Sequence, residues 1–345
     1  MAAPMSEEFL DAIQFSKSKL RVTDLNLKDK QLEALYACYE GHDCVAVLPT
    51  GCGKSLIFQI LSWLLQKKYK KSEAMIVIVV SPLNSIMQDQ VVGLVEKGIK
   101  ACYLNNTGSA AKTYEIGEED GDPDDEFKEL ETPVYTEKSV SLASLKNGDY
   151  KLIYAHPETL MSNSVIGRML RSKIYKEQVG CIAIDEVHLV ADWGQQFRKD
   201  FQKLSELNAL FTDAVHIVVT ATLTPLSMNI LIKDLQLSNP TVIKTNPDRI
   251  NIYIEKKTRL PNVRKFDKFD DLIEPLFLEL KAAKSEFPVT IVYVDGLDCL
   301  CYCYQYLDTN MGSDGYLPAS EPVPETRIFA QYHKSYTNRM KELIV

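Results

Sequence analysis

The sequence predicts an α/β fold in which parallel sheets are covered by helices. Two observations predict this class: short apolar runs rich in β-forming residues alternate with helical stretches, and five of these runs are followed directly by polar, turn-forming residues. Such alternation is typical of parallel sheets with helices on both faces. Because ligands bind at the carboxyl ends of parallel strands, we expect the five loops to converge on one binding edge.

The predicted strands divide the chain into two parts. In chain order they are residues 45–48, 75–80, 151–154, 181–184, 216–219 and 289–294. Turn-forming residues at 238–240 and 246–248 predict a boundary between the fifth strand and the sixth. We therefore expect an N-terminal segment over residues 1–26, a first lobe over 27–240 and a smaller second lobe over 246–345.

The composition is that of an intracellular globular chain long enough for about two domains. Of its 345 residues, 46% are hydrophobic and 25% are charged. The longest apolar run, 75–80, is too short to span a bilayer and the N-terminus lacks a secretion signal, so we expect no membrane partner. The eight cysteines lack paired CxxC spacing, which favours reduced thiols. For Cys299, Cys301 and Cys303, packing is favoured over metal ligation.

The negative charge of the chain is concentrated in one window. Residues 115–131 hold ten acidic side chains and one basic, a local charge of −9, so the rest of the chain carries +1 of the total −8. With glycine, proline and few apolar residues, this window predicts a solvated, disordered loop inserted at about 112–138. The remainder is not acidic, and its charge is therefore compatible with a nucleic-acid partner.

A glycine-rich turn follows the first predicted strand and precedes a helix. Its sequence, LPTGCGKS over residues 48–55, predicts a phosphate cradle because glycines let backbone N–H groups surround a polyanion at a helix N-terminus. Lys54 can reach the β- and γ-phosphates, and the Ser55 hydroxyl can ligate Mg²⁺. The strict pattern GxxxxGK[ST] fails at Leu48, and an ordinary strand-to-helix turn is the alternative. The predicted binding residues are Thr50, Gly51, Cys52, Gly53, Lys54 and Ser55.

Two adjacent carboxylates, Asp185 and Glu186, close the fourth predicted strand. Such a pair is costly at the end of a buried strand unless a cation is present, and a Mg²⁺-nucleotide would supply one. Asp185 is predicted to hold the metal through water. Glu186, expected on the other side of the strand, is predicted to orient and deprotonate the attacking water. An acidic turn at a strand end is the alternative.

These motifs resemble those of superfamily 2 helicases and, within them, the RecQ DNA helicases, in which the first glycine of the cradle is also missing. The segments that carry the similarity are 48–59 (LPTGCGKSLIFQ), 79–91 (VVSPLNSIMQDQV), 154–160 (YAHPETL), 183–201 (AIDEVHLVADWGQQFRKDF) and 220–222 (TAT). The resemblance covers about 27–222 and continues more weakly at 248–252 and 332–333. The aromatic-rich loop after the carboxylates is its most specific element.

The resemblance implies an ATP-dependent 3′-to-5′ DNA helicase built from two RecA-like lobes. ATP and Mg²⁺ would be its cofactors, single-stranded DNA and duplex junctions its partners, and DNA repair and recombination in the nucleus its setting. Because the family's arginine-finger motif and zinc cysteines are absent before Val345, we expect an incomplete second lobe. The alternative is a non-unwinding module that binds ATP and single-stranded DNA.

The resemblance also implies roles for single residues. Gln31 lies at the spacing of the family's adenine-reading glutamine, although a surface glutamine that opens a helix is the alternative. Trp193, Phe197 and Arg198 would contact single-stranded DNA by stacking and phosphate pairing; a buried tryptophan cluster is the alternative. The predicted catalytic residues are Lys54, the two carboxylates and His188. His188 is expected to contact the segment 220–222 rather than to bind metal.

A basic run at Lys67, Lys68, Lys70 and Lys71 has two interpretations. It is compatible with a nuclear address. The favoured interpretation is the last turn of a helix, where lysines complement the negative end of the helix dipole.

Overall fold

The structure is a computed structural model. It describes residues 5–22, 25–104, 111–116, 135–188, 203–248, 251–256, 270–333 and 335–336. The chain divides into two compact units, Met1–Ile250 and Asn251–Val345.

One sheet forms the centre of the first unit. Its strands are β1 (Cys44–Val47), β2 (Ile76–Val80), β3 (Ala101–Leu104), β4 (Ala111–Ile116), β5 (Tyr135–Val140), β6 (Leu152–Ala155), β7 (Val179–Asp185), β8 (Val215–Thr220) and β9 (Thr241–Lys244). They lie in the order β5-β4-β3-β6-β2-β7-β8-β1-β9. All neighbours from β3 to β9 are parallel, which confirms the predicted α/β class.

Helices cover both faces of this sheet. They are α1 (Glu7–Lys19), α2 (Asp29–Glu40), α3 (Lys54–Lys68), α4 (Asn84–Val95), α5 (Leu142–Lys146), α6 (Pro157–Ser162), α7 (Ser164–Leu170), α8 (Lys173–Gln178), α9 (Ser205–Leu210) and α10 (Pro225–Asp234). Strand β2 shows the two resulting cores, because alternate side chains point to opposite faces. Val77 and Val79 pack in one core with α3, and Ile76 and Ile78 pack in the other.

The antiparallel edge of the sheet corrects the loop that we expected over residues 112–138. Strands β4 and β5 pair with each other, and β4 pairs with β3. Charged and polar side chains hold this edge: Glu137 on β5 accepts hydrogen bonds from Tyr103 on β3 and from Lys112 on β4. Cross-strand partners of this kind stabilise a hairpin even when its composition is polar. The acidic residues at 117–134 lie outside the described residues.

Two segments that we expected outside the first lobe belong to it. Helix α1, within the predicted N-terminal segment 1–26, buries Phe9, Ala12 and Ile13 in the core next to α3. Strand β9 follows the expected end of the lobe at residue 240 and pairs in parallel with β1. Both segments are apolar enough to add to the core, which decides their placement more strongly than the turn residues beside them.

The basic run ends α3, as the favoured interpretation requires. Lys67 and Lys68 lie in the last turn of this helix. The ammonium group of Lys67 is 3.0 Å from an Asp11 carboxylate oxygen on α1, and the ammonium group of Lys68 donates to the Tyr39 carbonyl.

The second unit is helical where it is described. It contains α11 (Asp270–Ala283) and α12 (Leu297–Met311), with short 3₁₀ turns at Lys284–Glu286, Gly312–Gly315 and Pro324–Thr326. The strand predicted at 289–294 is wrong: Val289 is 100% exposed and Tyr293 is 88% exposed. β-branched residues favour an extended backbone, but the described part of this unit offers no neighbouring strand to pair with.

Candidate nucleotide-binding site

The predicted cradle forms the turn between β1 and α3. Gly51 and Gly53 adopt φ values of +80° and +71°, which glycine reaches without strain. A Cβ on Gly53 would also lie 2.7 Å from Nε2 of Gln31, so any other residue would have to displace the Gln31 amide as well as adopt a strained backbone. Helix α3 begins at Lys54, and the N–H groups of its first turn are available to an anion at the helix N-terminus.

A cavity of about 340 Å³ opens at this edge of the sheet. Six predicted residues line it together: Gly51, Gly53, Lys54, Ser55, Asp185 and Glu186. Three further lining residues, Ile86, Asp89 and Gln90, come from one face of α4 and were not predicted as site residues. Their i, i+3, i+4 spacing, directly after the loop that follows β2, is the signal that could have identified them.

Lys54 places a cation inside this cavity. Its side chain is only 9% exposed, and Nζ lies 3.9 Å from Oε1 of Glu186. At this distance, with little water nearby, the two charges attract each other more strongly than they would on the surface. Lys54 therefore has an anionic partner before any phosphate enters the site.

Asp185 is buried at the end of β7. Burial raises the pKa of its carboxyl to about 6, the neighbouring Glu186 charge adds to the rise, and the Glu186 backbone N–H and Lys54 oppose it. That N–H donates to Oδ1 of Asp185 at 2.9 Å. A divalent cation beside this carboxyl would favour its ionised form, so the residue suits a metal-binding role.

The backbone of Glu186 has an unusual conformation. Its φ is +49°, in the left-handed region that residues other than glycine rarely adopt. The expectation that Glu186 points away from Asp185 is wrong, because this turn of the backbone ends the strand alternation and both carboxylates line one cavity. Strain of this kind is typical of functional sites.

One carboxylate oxygen of Glu186 remains open. Oε2 is buried and accepts no hydrogen bond from the described residues, although Nδ1 of His188 lies 3.2 Å away. An acceptor without a donor is costly when buried, and a water molecule in the cavity would satisfy it. The carboxylate can thus accept a hydrogen bond from such a water.

His188 connects the ends of β7 and β8, as expected from the sequence. Its Nδ1 lies 3.1 Å from Oγ1 of Thr220, whose hydroxyl donates to the Thr222 carbonyl at 3.1 Å. Because the threonine hydrogen is used for the carbonyl, the consistent arrangement has His188 donating from Nδ1–H to Thr220.

Gln31 packs directly on the cradle. Its Nε2 group donates to the carbonyls of Cys52 and Gly53 at 3.0 and 2.9 Å, and its Oε1 accepts from the Lys28 N–H at 2.8 Å. The side chain is buried, so the alternative of a surface glutamine is wrong, although the residue does lie in the first turn of α2. An amide oxygen can accept a second hydrogen bond, but Gln31 is not among the described residues that line the cavity.

The donor atoms of the cavity are those that Mg²⁺ prefers. Ser55 and Asp185 offer a hydroxyl and a carboxylate oxygen, and Mg²⁺ usually takes one or two protein oxygens with phosphate and water. In the described part of the chain, no group of three or more His, Cys, Asp and Glu side chains is arranged to hold a metal. The predicted DNA-contacting residues Trp193, Phe197 and Arg198 lie outside the described residues.

A cradle at a helix N-terminus and paired carboxylates at the carboxyl edge of a parallel sheet define the class of nucleotide-binding α/β proteins. Residues 28–231, more than half of the chain, match the family model described as DEAD/DEAH box helicase. The chain therefore belongs to the DEAD/DEAH box helicase family.

Curated relatives confirm the resemblance to RecQ helicases. The chain is 30% identical over 235 residues to "ATP-dependent helicase SGS1" of Saccharomyces cerevisiae, a match that covers 67% of this chain and 14% of that protein. It is 28% identical over 278 residues to "ATP-dependent DNA helicase RecQ" of Pasteurella multocida, a match that covers 78% of this chain and 37% of that protein. The chain thus spans well under two thirds of the length of these relatives.

A solved structure supports the fold. The protein described as "DUF1998 helicase MrfA bound to DNA and AMPPNP" matches with a TM-score of 0.57 at 17% identity, over 92% of this chain and 42% of that one. Within the described part of the chain, every helix is too short or too polar to cross a bilayer.

Proposed function

We propose that this chain is the ATP-hydrolysing part of a RecQ-type 3′-to-5′ DNA helicase that unwinds DNA in repair and recombination. The observation that carries the proposal is that Lys54, Ser55 and the pair Asp185 and Glu186 line one cavity. These are the groups that phosphoryl transfer requires: a cation for the phosphates, ligands for a metal and a carboxylate for the attacking water.

Each residue has a distinct role in this proposal. The N–H groups of the cradle and Lys54 bind the β- and γ-phosphates. Ser55 and Asp185 hold Mg²⁺, which neutralises charge on the phosphate oxygens when bound. Glu186 accepts a hydrogen bond from the attacking water at its open Oε2 and takes the proton. His188 connects this strand end to Thr220 on β8.

We also propose residues that recognise adenine and DNA. Gln31 keeps an acceptor lone pair that suits the adenine amino group, and its hydrogen bonds to the cradle join base recognition to phosphate binding. The aromatic and basic residues Trp193, Phe197 and Arg198 follow β7 closely in sequence, which supports a single-strand contact near the carboxylates. We also propose that duplex junctions are substrates and that the protein is nuclear.

A second candidate is a module that binds ATP and single-stranded DNA without unwinding duplexes. It is supported by the second unit, whose described residues contain no sheet. The two candidates differ in one experiment: ATP hydrolysis with and without single-stranded DNA, followed by strand separation on a duplex with a 3′ tail. Hydrolysis and separation support the helicase, whereas nucleotide and DNA binding without separation supports the module. Absence of ATP binding would contradict both.

A further inference from the structure

Gln90 is the one cavity residue with a neutral side-chain amide among the described residues that line it. It lies on α4, one helical turn after Ile86, whereas the cradle precedes α3. The charged side chains of this lining are one cation, Lys54, and three acids, Asp89, Asp185 and Glu186. A highly charged phosphate needs further hydrogen-bond donors in such a site.

Gln59 holds the Gln90 amide in place. Gln59 is buried on α3, one turn after Ser55, and its Nε2 donates to Oε1 of Gln90 at 2.7 Å. This hydrogen bond directs the Gln59 nitrogen toward the Gln90 oxygen.

The hydrogen bond decides which atoms Gln90 offers to the cavity. An amide whose oxygen accepts from Gln59 directs its two N–H donors elsewhere. Among the described residues, none accepts a hydrogen bond from the two N–H groups of the Gln90 amide. Gln90 lines the cavity, so these N–H groups are available to a ligand there. An anionic oxygen in the cavity would be a strong acceptor for them.

We propose that Gln90 donates a hydrogen bond to the terminal phosphate of a bound nucleoside triphosphate, and that Gln59 is its positioning residue. This inference rests on the proposed function. The terminal phosphate is the partner because Gln90 comes from α4, whereas the inner phosphates are surrounded by the backbone of the cradle. Gln90 shares the cavity with Glu186, beside which the terminal phosphate is attacked. A residue of this kind senses whether the third phosphate is present.

The test compares affinities for the Mg²⁺ complexes of AMPPNP and ADP in the full chain. Gln90→Ala is expected to weaken AMPPNP binding about tenfold and to leave ADP binding unchanged, because a hydrogen bond to a charged group is lost only with the triphosphate. Gln90→Glu, which can still accept from Gln59 but puts a negative charge in the cavity, is expected to weaken AMPPNP binding further. Gln59→Leu should shift the same ratio in the same direction, with no additional effect in the double variant.

Gln88→Ala is the matched control. Gln88 lies on the same helix, and its amide bonds to Tyr103 on β3. It is expected to leave the AMPPNP-to-ADP ratio unchanged. Equal losses for both nucleotides, or no loss in Gln90→Ala and Gln90→Glu, would overturn the inference. Lys54→Ala distinguishes failure of the Gln90 inference from failure of the proposed function. If Lys54→Ala abolishes nucleotide binding while the Gln90 variants bind normally, only the role of Gln90 fails. If it has no effect on either nucleotide, the proposed function itself fails.

Discussion

Nζ of Lys54 lies 3.9 Å from Oε1 of Glu186, across the cavity between the helix that begins at the cradle and the strand that ends in the carboxylates. The cation expected to bind phosphate and the carboxylate expected to activate water are therefore partners before a nucleotide binds. A phosphate entering the site would replace Glu186 as the anionic partner of Lys54. If nucleotide binds as proposed, we expect it to release the Glu186 carboxylate from Lys54.

Lys54→Ala should abolish ATP binding, with an affinity loss of at least about 100-fold, because the charge-assisted contacts to the phosphates are lost. Fluorescence titration with a labelled ATP measures it. Lys67→Ala, at the opposite end of the same helix, is the control and should bind normally. Unchanged affinity in Lys54→Ala would exclude the phosphate role of this residue.

Glu186→Gln should bind ATP at near-normal affinity and lose hydrolysis by about 10² to 10⁴-fold, the usual contribution of a general base. Steady-state hydrolysis and a binding titration on the same preparation separate the two effects. The amide keeps the size of the carboxylate, so the fold is expected to persist. A large loss of affinity instead would assign Glu186 to metal binding or to structure.

Gly53→Ala should destabilise the protein by about 1 kcal/mol or more and weaken ATP binding. The new side chain requires a left-handed backbone and meets Gln31 at 2.7 Å. Urea unfolding measures the effect. Gly93→Ala is the matched control: Gly93 lies inside α4, nothing lies within 4 Å of an added Cβ, and alanine should be neutral or slightly stabilising. Equal stability of both variants would contradict the account of the cradle.

Asp43 should contribute stability that is lost in acid. Burial acts to raise the pKa of its carboxyl, but hydrogen bonds and the charge of His216 outweigh burial and hold the pKa below its usual value. Its oxygens accept from the backbone and ring of His216 at 3.0 and 3.1 Å and from the Ser238 N–H at 3.1 Å. Because the pKa is lowered in the folded state, the stabilisation is present above about pH 4 and disappears as the pH falls through the folded pKa.

The substitution Asp43→Asn tests this linkage. At pH 7 it should lower the free energy of unfolding by about 1 kcal/mol, since an uncharged amide loses the charge-assisted bonds. The difference from the unsubstituted chain should shrink toward acid pH, measured by urea unfolding at several pH values. A difference that stays constant with pH would show that the charge of Asp43 has no part in it.

Trp193→Ala should weaken binding of single-stranded DNA by about 5 to 100-fold, the usual contribution of one stacked base, and leave ATP affinity intact. Fluorescence anisotropy with a labelled oligonucleotide measures the first quantity. A variant that fails to fold in thermal unfolding would support the alternative of a buried tryptophan.

The parts of the site that lie close together in the chain could be predicted from the sequence. The cradle is a strand, a glycine turn and a helix within a few residues, and the carboxylates are adjacent, so local chemistry is enough to identify both. The meeting of the strand ends could also be predicted, because the carboxyl ends of parallel strands lie at the same edge of a sheet. The contact of His188 with Thr220 joins neighbouring strands and was predicted with the help of the family resemblance.

Other features depend on residues that are distant in sequence. The strand at 289–294 was wrong because β-propensity describes one segment and pairing requires another. The hairpin of β4 and β5 was missed because its polar composition hid cross-strand partners. Gln90 was not recognised as a site residue, since its position depends on how α4 packs beside the cavity.

Neighbouring residues and their backbone preferences were enough to predict the α/β class, the phosphate cradle and the two carboxylates at a strand end. Three-dimensional packing was needed to show that Lys54 pairs with Glu186, that a left-handed backbone at Glu186 brings both carboxylates into one cavity, that α4 lines another side of it, and that Gln31 bonds to the cradle. Packing and burial, not local propensity, select which distant side chains share a space from which water is excluded.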